Sequence, residues 1–586
     1  MSLPPLFRRP SEKIIGARRS ALDVARGRLV FVGICFSLGY ILLAARTMDL
    51  TVIQGELPRL AQVGSEEGDA PEQAVAEAKP LRGDITDRNG VLLARSLNTA
   101  SLYADTYYIT QPEKVAAALV KIMPDLKYAD VLQKLQKKTH FIWLRRNLTP
   151  KNQIAILNMG QPGLNFQDEA HRIYPQGAIA SHIVGFTDID GRGLGGVERN
   201  FNALLETGTQ PLKLTIDIRL QHIMRRELNK AIREFSGVGG VGAIMDVNTG
   251  EVLAAVSEPD FDPQSVGEED RPALFSRLTQ GVYEMGSTFK IFTAAAMIEL
   301  KNPGMGQTFD ARAPIEIGGF KIKDYHPENA WITIPEIFMV SSNIGAARMA
   351  EQIGTTGLRQ FFKDVGLLDP LQIEIQEVGR PLVPNPWRPI STLTASYGHG
   401  IAVTPLQTLG AVSSVINGGT LVHPTLVMDS DLSKKDKSGK HVVSAETSHR
   451  MRQLLRLVVT NGTGKSADVP GFQVGGKTGT AEKNSGGNYN HKSLLSSFIG
   501  VYPMNAPKYA VLVMVDEPKG TKASHGYATG GWVGAPPVGR IVAAMAPVLG
   551  IVPKDIPHEQ DMATPLLPYI KNGQPGEKHL ASVGVE

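Results

Sequence analysis

The sequence predicts an α+β protein in which a single N-terminal transmembrane helix precedes a mixed domain and a larger domain whose antiparallel sheet is covered by helices. Three observations carry this. The chain has 586 residues, too many for one hydrophobic core, so two or more domains are needed. An apolar run, Leu29 to Ala45, lies between Arg28 and Arg46. Beyond it, strand–turn–strand patterns occur together with one long, nearly uniform apolar helix pattern.

Hydrophobic residues make up 42% and charged residues 20%, ordinary for a globular chain. The net charge is +4, but residues 1–28 hold seven bases and two acids, a net of +5, which leaves −1 for the rest. The basic excess is local and gives no reason to expect nucleic-acid binding.

The 17 residues of Leu29–Ala45 sit at the short end of what spans a bilayer as a helix. Bases before the run place residues 1–28 in the cytoplasm and the remainder outside. A cleaved signal peptide is the alternative. The basic region is long for one, and Leu43-Ala44-Ala45 is a poor cleavage site, so a retained anchor at 29–45 is expected. The only cysteine, Cys35, lies in this run, and the exported part can form no disulfide.

Residues 46–80 read as a linker, with Gly64-Ser65-Glu66-Glu67-Gly68-Asp69-Ala70-Pro71 burying little. Structure resumes at Leu81, and Arg82 through Ala94 predicts a hairpin turning at Asn89-Gly90. A mixed domain is expected over 81–208. Within it, Gly185 to Gly193 suggests a calcium loop, but the twelfth position after Asp188 holds Arg199 instead of a bidentate glutamate. A rigid Gly-rich turn is the better reading. The second domain, 209–560, begins with strand, turn and strand over Gly242–Ala254, read as the start of a half-buried antiparallel sheet. Phe289–Leu300 is Ala-rich and apolar, a buried helix ended by Lys301-Asn302-Pro303-Gly304. Strands are expected at Leu494–Val501 and Tyr509–Val515, and a helix at Gly539–Leu549, interrupted near Pro547. Residues 561–586 are polar and Pro/Gly-containing, and a flexible tail is expected.

Three short motifs carry chemistry: Ser287-Thr288-Phe289-Lys290, Ser341-Ser342-Asn343 and Lys477-Thr478-Gly479-Thr480. An S-x-x-K alone arises about twice by chance in a chain this long, but the ordered trio S-x-x-K, S-x-N, K-T-G marks serine acyltransferases that recognise penicillin. Ser287 opens the buried helix, where its N–H is an unpaired helix-start donor, although a serine there can equally be a plain N-cap. Lys290, three positions on, lies on the same helix face; simple exposure by snorkelling is the alternative. Ser341 and Asn343 sit on a tight loop before a helical pattern, which also fits capping. Lys477 to Thr480 reads as a strand with glycines, where another backbone can approach and an extended peptide can be aligned.

Together these residues resemble a class B penicillin-binding protein, a peptidoglycan D,D-transpeptidase. The resemblance covers most of 80–545 and includes Arg82-Gly83 through Ala94, Arg172-Ile173-Tyr174-Pro175, Gly185–Glu198, Gly398-His399-Gly400-Ile401 and Thr404-Pro405-Leu406-Gln407. It implies a pedestal (dimerisation-type) domain at 81–208 and a penicillin-binding transpeptidase domain at 209–560. It is nearest to the division-specific FtsI type, with the elongation-specific branch as the near rival. Met285 departs from the family, which usually has Pro before Gly-Ser.

The resemblance also implies roles. Ser287 would be the nucleophile and Lys290 its base, Ser341 a proton relay, Asn343 a guide for the donor amide, and Lys477 an electrostatic support. Thr478, Gly479 and Thr480 would bind the substrate's terminal carboxylate, with the N–H groups of Ser287 and Thr480 as oxyanion hole. No cofactor and no metal are implied. The implied partners are peptidoglycan stem peptides, β-lactam antibiotics, the cytoplasmic membrane and divisome proteins, among them a SEDS-type glycosyltransferase. The implied location is the inner membrane, with the catalytic domain in the periplasm. Two other readings stay open: a D,D-carboxypeptidase or β-lactamase with water as acceptor, and a non-catalytic scaffold or sensor.

Overall fold

The structure is a computed structural model that describes residues 34, 36–41, 43, 80–428, 439–485 and 488–571. The chain divides into two units, 1–78 and 79–586. In the first, the described residues are helical, with Phe36, Tyr40 and Ile41 exposed. The expected membrane helix at 29–45 thus falls largely outside the described residues. Among those described, no helix is long and apolar enough to cross a membrane.

The second unit begins with a five-stranded sheet. Strand β1 (Ile85–Thr86) turns through Asn89-Gly90 into β2 (Leu92–Ala104), which also pairs with β3 (Ile142–Arg145) and β4 (Leu164–Ile173). The Asp87 carboxylate fixes the turn by accepting from the N–H groups of Asn89 and Val91 at 2.7 and 2.8 Å. Helices α1 (Pro112–Ile122) and α2 (Tyr128–Gln136) bury Val115, Leu119, Val131 and Leu135 in a core of their own beneath β2 and β3. The last strand of this sheet, β5 (Leu212–Lys213), pairs in parallel with β1 and lies just beyond the 208/209 boundary expected from sequence.

The stretches Arg82-Gly83, Arg172 and Gly185–Glu198, which carried the family resemblance without an evident chemical use, meet in one buried ion cluster. Arg82 Nε and Arg172 Nε each donate to Glu198 at 2.7 Å. Arg172 Nη1 also donates to the carbonyl of Gly83 at 2.9 Å. Two guanidinium groups on one buried carboxylate need such hydrogen bonds to offset their desolvation. The Gly-rich segment is a turn: the Asp188 carboxylate accepts from the N–H groups of Asp190 and Arg192.

The larger domain is built on a fully antiparallel sheet of order β8-β9-β10-β6-β7: β6 (Gly239–Asp246), β7 (Val252–Glu258), β8 (Gly475–Ser485), β9 (Asn488–Tyr502) and β10 (Tyr509–Asp516). The expectation of a half-buried sheet is corrected, because β7 and β10 are buried along their whole length. The reason is that helices cover both faces. Helix α3 (Ile218–Glu234) and a C-terminal helix pack against one face, over Ile244, Val256 and Val511. The other face, with Val241, Ala243 and Met245, joins the main core.

That core surrounds α4 (Lys290–Lys301), whose residues Lys290–Ile298 are all buried. Asn302, in the left-handed conformation, ends the helix. Helices α5 (Ile334–Val340), α6 (Asn343–Ile353), α7 (Pro405–Ile416) and α8 (Ala445–Thr460) complete the helical layer, with α6, α7 and α8 packed on α4. The C-terminal helix α9 (Ala535–Val548) runs through Pro547. Pro547 is its next-to-last residue, so the expected interruption coincides with the end of the helix, where the N–H that proline lacks ends the bonding pattern.

The expected flexible tail is also corrected for its first part. Asp561 pairs with Arg456, Leu566 is buried, Thr333 donates to the Tyr569 carbonyl, and the Lys571 N–H donates to Glu336. Thr333 and Glu336 form the capping box of α5, so this segment clamps the start of the helix that leads to Ser341. Residues 572–586 lie outside the described residues.

Candidate active site

The three motifs converge at the edge of β8. Gly286 makes this possible: its φ is +54°, and a Cβ there would lie 2.5 Å from the carbonyl oxygen of Thr480. Only glycine can hold the Ser287 turn that close to the strand. Gly398 is pressed on the same turn from the other side, with φ +84° and a would-be Cβ 2.2 Å from the Gly286 carbonyl. The turn needs no proline at 285: buried Met285 takes φ −83°, and its carbonyl accepts from the Thr288 hydroxyl at 2.9 Å. Residues Gly286–Phe289 form a 3₁₀ turn that leads into α4.

Lys290 is fully buried. Its Nζ lies 2.8 Å from Ser287 Oγ, 2.6 Å from the Ser341 carbonyl, 2.7 Å from Asn343 Oδ1 and 3.1 Å from Ser341 Oγ. The Asn343 Nδ2 donates to the Lys323 carbonyl at 3.1 Å, which turns Oδ1 toward Lys290. The Ser341 carbonyl and Asn343 Oδ1 can only accept. A neutral Lys290 therefore donates its two N–H bonds to them, and its lone pair meets the Ser287 hydroxyl.

Ser341 adopts φ +63°, the left-handed conformation, at the end of α5. This is unusual for a residue with a side chain, and it aims both the carbonyl and the hydroxyl of Ser341 inward. Lys477, also fully buried, donates to Ser341 Oγ at 2.9 Å and lies 6.0 Å from the centre of the Phe338 ring. Ser341 Oγ thus stands between two lysine nitrogens.

Electrostatics push both lysines toward the neutral form. Burial holds Lys290 well below the usual lysine range, and the neighbouring Lys477 adds to this, while Asp324 opposes it. Burial brings Lys477 down to about 7. The first buried cation makes the second more unfavourable, so the pair favours a state in which only one of the two lysines is charged.

Asp324 had no sequence signal: it lies in a short polar loop at no fixed spacing from any motif. In the structure it accepts from the Ser342 hydroxyl at 2.7 Å, the Ile344 N–H at 3.0 Å and the Asn343 N–H. It thereby holds the start of α6, where the helix dipole favours an anion. Ser342, the middle residue of its motif, is the N-cap of α6 and accepts from the Gly345 N–H at 2.9 Å. Thr463, also unsignalled, shares a hydrogen bond with Thr478 Oγ1 at 2.9 Å. Thr480 Oγ1 accepts from the Gly530 N–H at 3.1 Å. Gly479 leaves β8 thin where Ser497 and Met285 press closest: a Cβ would lie 2.4 Å from Ser497 Oγ.

All eight residues singled out by sequence, Ser287, Lys290, Ser341, Asn343, Lys477, Thr478, Gly479 and Thr480, therefore lie on three elements that meet at this edge. The arrangement presents a hydroxyl on a buried amine whose pKa is pushed down, a second hydroxyl between two lysines, and a strand edge able to align an extended peptide.

Comparison with known proteins shows the family. The penicillin-binding protein transpeptidase domain family matches residues 240–534, and the penicillin-binding protein dimerisation domain family matches residues 77–207. The Caulobacter vibrioides protein named probable peptidoglycan D,D-transpeptidase FtsI is 39% identical over 80% of this chain and 82% of its own length. Stage V sporulation protein D of Bacillus subtilis is 32% identical over 81% of this chain and 79% of its own length. The crystal structure of penicillin-binding protein 3 from Mycobacterium tuberculosis, complexed with aztreonam, superposes with a TM-score of 0.64 at 23% identity, covering 82% of this chain and 98% of that one, and shares its fold. With a dimerisation domain followed by a transpeptidase domain and the three motifs in order, this chain belongs to the class B penicillin-binding proteins.

Proposed function

We propose that this protein is a serine D,D-transpeptidase that cross-links peptidoglycan stem peptides through an acyl-enzyme on Ser287. The observation that carries this reading is the 2.8 Å contact between Ser287 Oγ and a buried Lys290 whose two amine hydrogens have acceptors elsewhere. Lys290 takes the Ser287 proton as Oγ attacks the carbonyl of the penultimate D-alanine. The negative oxygen that forms is held by the N–H groups of Ser287 and Thr480. Lys477 and Ser341 pass the proton to the departing D-alanine amine, and Asn343 orients the donor amide. Thr478 and Thr480 hold the terminal carboxylate, and Gly479 lets the peptide lie close to β8. The amine of a second stem peptide then attacks the ester and restores Ser287. β-Lactams would be captured by the same first step.

The domain division 81–208 and 209–560 supports this reading, as a pedestal suits an enzyme working on a polymer away from its membrane. We place the protein in the inner membrane, anchored at 29–45, with residues 1–28 in the cytoplasm and the catalytic domain in the periplasm. A division role beside septal partners, including a SEDS-type glycosyltransferase, is supported by the relative named FtsI, while similarity to a sporulation protein marks how broad the family is.

Intact mass after treatment with benzylpenicillin tests the chemistry. The wild-type protein is expected to gain one penicillin mass and to keep it, and Ser287→Ala to gain none while remaining folded. Labelling of Ser287→Ala would remove Ser287 as nucleophile, and rapid loss of the adduct with repeated turnover would make water the acceptor. For the anchor, a reporter fused after Glu586 is expected to be active only outside the cytoplasm; a mature form starting after Ala45 would contradict it. For the cell role, depletion is expected to give long filaments without septa, whereas rounded cells would assign the protein to elongation.

A further inference from the structure

Thr463 stands beside the catalytic strand without belonging to any of the three motifs. The turn that carries it follows α8 and is held from two sides. A Cβ on Gly462 would lie 2.6 Å from the Met339 carbonyl oxygen in α5, and one on Gly531 would lie 2.6 Å from the Thr463 carbonyl oxygen. The N–H groups of Gly462 and Gly464 both donate to the Val458 carbonyl. Neighbouring backbone thus fixes where the Thr463 hydroxyl stands, although the residue itself is exposed. Its Oγ1 lies 2.9 Å from Thr478 Oγ1.

A hydroxyl has one hydrogen to give and lone pairs with which to accept. Thr478 is buried, so the partners of its hydroxyl come from the protein and the substrate. Lys477 Nζ is 3.4 Å from Thr478 Oγ1, beyond the usual range for N–H···O, and makes its shorter bond to Ser341 Oγ at 2.9 Å. Thr463 is therefore the group placed to donate to Thr478 Oγ1, and that direction leaves the Thr478 hydrogen for the substrate. Thr480 has the same arrangement: its Oγ1 accepts from the Gly530 N–H at 3.1 Å, and its own hydrogen remains to be given. Each of the two hydroxyls thus receives a hydrogen from the protein and has one left for a carboxylate, which can only accept. In such a chain each bond polarises the next, so the bond behind Thr478 strengthens the bond to the anion in front of it.

We propose that Thr463 is a positioning residue for substrate recognition: its hydroxyl donates to Thr478 Oγ1 and so commits the Thr478 hydrogen to the terminal carboxylate of the donor peptide or of a β-lactam. The proposal rests on the reading of Thr478 and Thr480 as the groups that hold this carboxylate. Without the Thr463 hydroxyl, Thr478 Oγ1 keeps a buried lone pair with no close donor, and its hydrogen is no longer directed.

Second-order acylation rate constants of the full-length protein with benzylpenicillin and with its methyl ester, whose carboxylate is masked, test this. The wild-type protein is expected to prefer the free acid. Thr463→Val, nearly the same shape without the hydroxyl, is expected to slow acylation by the free acid about tenfold, in the range of one hydrogen bond to a charged group, and to change the rate with the ester by less than about twofold. Thr463→Ser, which returns the hydroxyl, is expected to restore the free-acid rate. Equal loss on acid and ester would mean damage to the fold around β8 and would overturn the proposal. So would a Thr463→Val variant that reacts with the free acid as fast as wild type, or a Thr463→Ser variant as slow as Thr463→Val. Thr478→Val separates the proposal from the reading beneath it. If Thr478→Val loses the preference for the free acid while Thr463→Val keeps it, the role of Thr463 alone is overturned. If Thr478→Val keeps the preference, the carboxylate reading of Thr478 fails and the proposal fails with it.

Discussion

Two lysine nitrogens, those of Lys290 and Lys477, are buried against the same hydroxyl, Ser341 Oγ, at 3.1 and 2.9 Å. They can therefore be no more than about 6 Å apart. Two unit charges at that distance repel by about 3 kcal/mol at an effective dielectric constant of about 20, enough to shift a proton equilibrium roughly a hundredfold. Burial acts in the same direction on both. A free lysine at neutral pH has no lone pair to offer. Repulsion and burial together favour a neutral member of the pair, and the Ser341 carbonyl and Asn343 Oδ1 on Lys290 leave its remaining direction facing Ser287.

The rest of the domain serves this constraint. Lys290 must be buried, so α4 is enclosed from Lys290 to Ile298, and Phe289 just before it packs edge to face on Phe292. The Ser287 turn must lie against β8, so glycines stand at 286 and 398, where backbones nearly touch. Ser341 must offer its carbonyl and its hydroxyl together, so it takes a left-handed conformation between two helices that are fixed independently. Helix α5 is capped by Thr333 and Glu336 and clamped by the chain near Tyr569. Helix α6 is capped by Ser342 and Asp324. The Asp324 charge also limits how far the Lys290 pKa falls, so the group that holds Asn343 also acts on Lys290.

Much of this was legible in the sequence, for a physical reason: the candidate site groups occupy short motifs whose internal spacing is set by one helical turn, one loop or one strand. The hairpin at Asn89-Gly90, the helix from Lys290 and the strands near 494–501 and 509–515 were readable from turn residues and periodicity. What could not be read depends on long-range contacts. Asp324 and Thr463 act through partners 18 and 15 positions away and sit in polar loops like any other. The packing of residues 561–571 rests on Leu566, Asp561 and backbone groups within a polar segment, so composition suggested flexibility. The second buried face of the sheet is imposed by α3 and α9, which alternation along a strand does not reveal. At Met285, the close approach of Gly286 to Thr480 and Gly398 fixes the turn without a proline.

The claim that Lys290 is an uncharged base is tested most directly by the pH dependence of the benzylpenicillin acylation rate in the wild-type protein and in Lys290→Arg. Protonated Lys290 cannot accept the Ser287 proton, so the wild-type rate should fall as pH drops and rise to a plateau through an apparent pKa well below the 10.4 or so of free lysine. Arginine keeps the cation but cannot shed a proton, so Lys290→Arg should acylate slower by orders of magnitude at every pH, although it still binds the antibiotic. A Lys290→Arg rate near that of wild type, or a wild-type rate that rises only near the pKa of free lysine, would contradict the account.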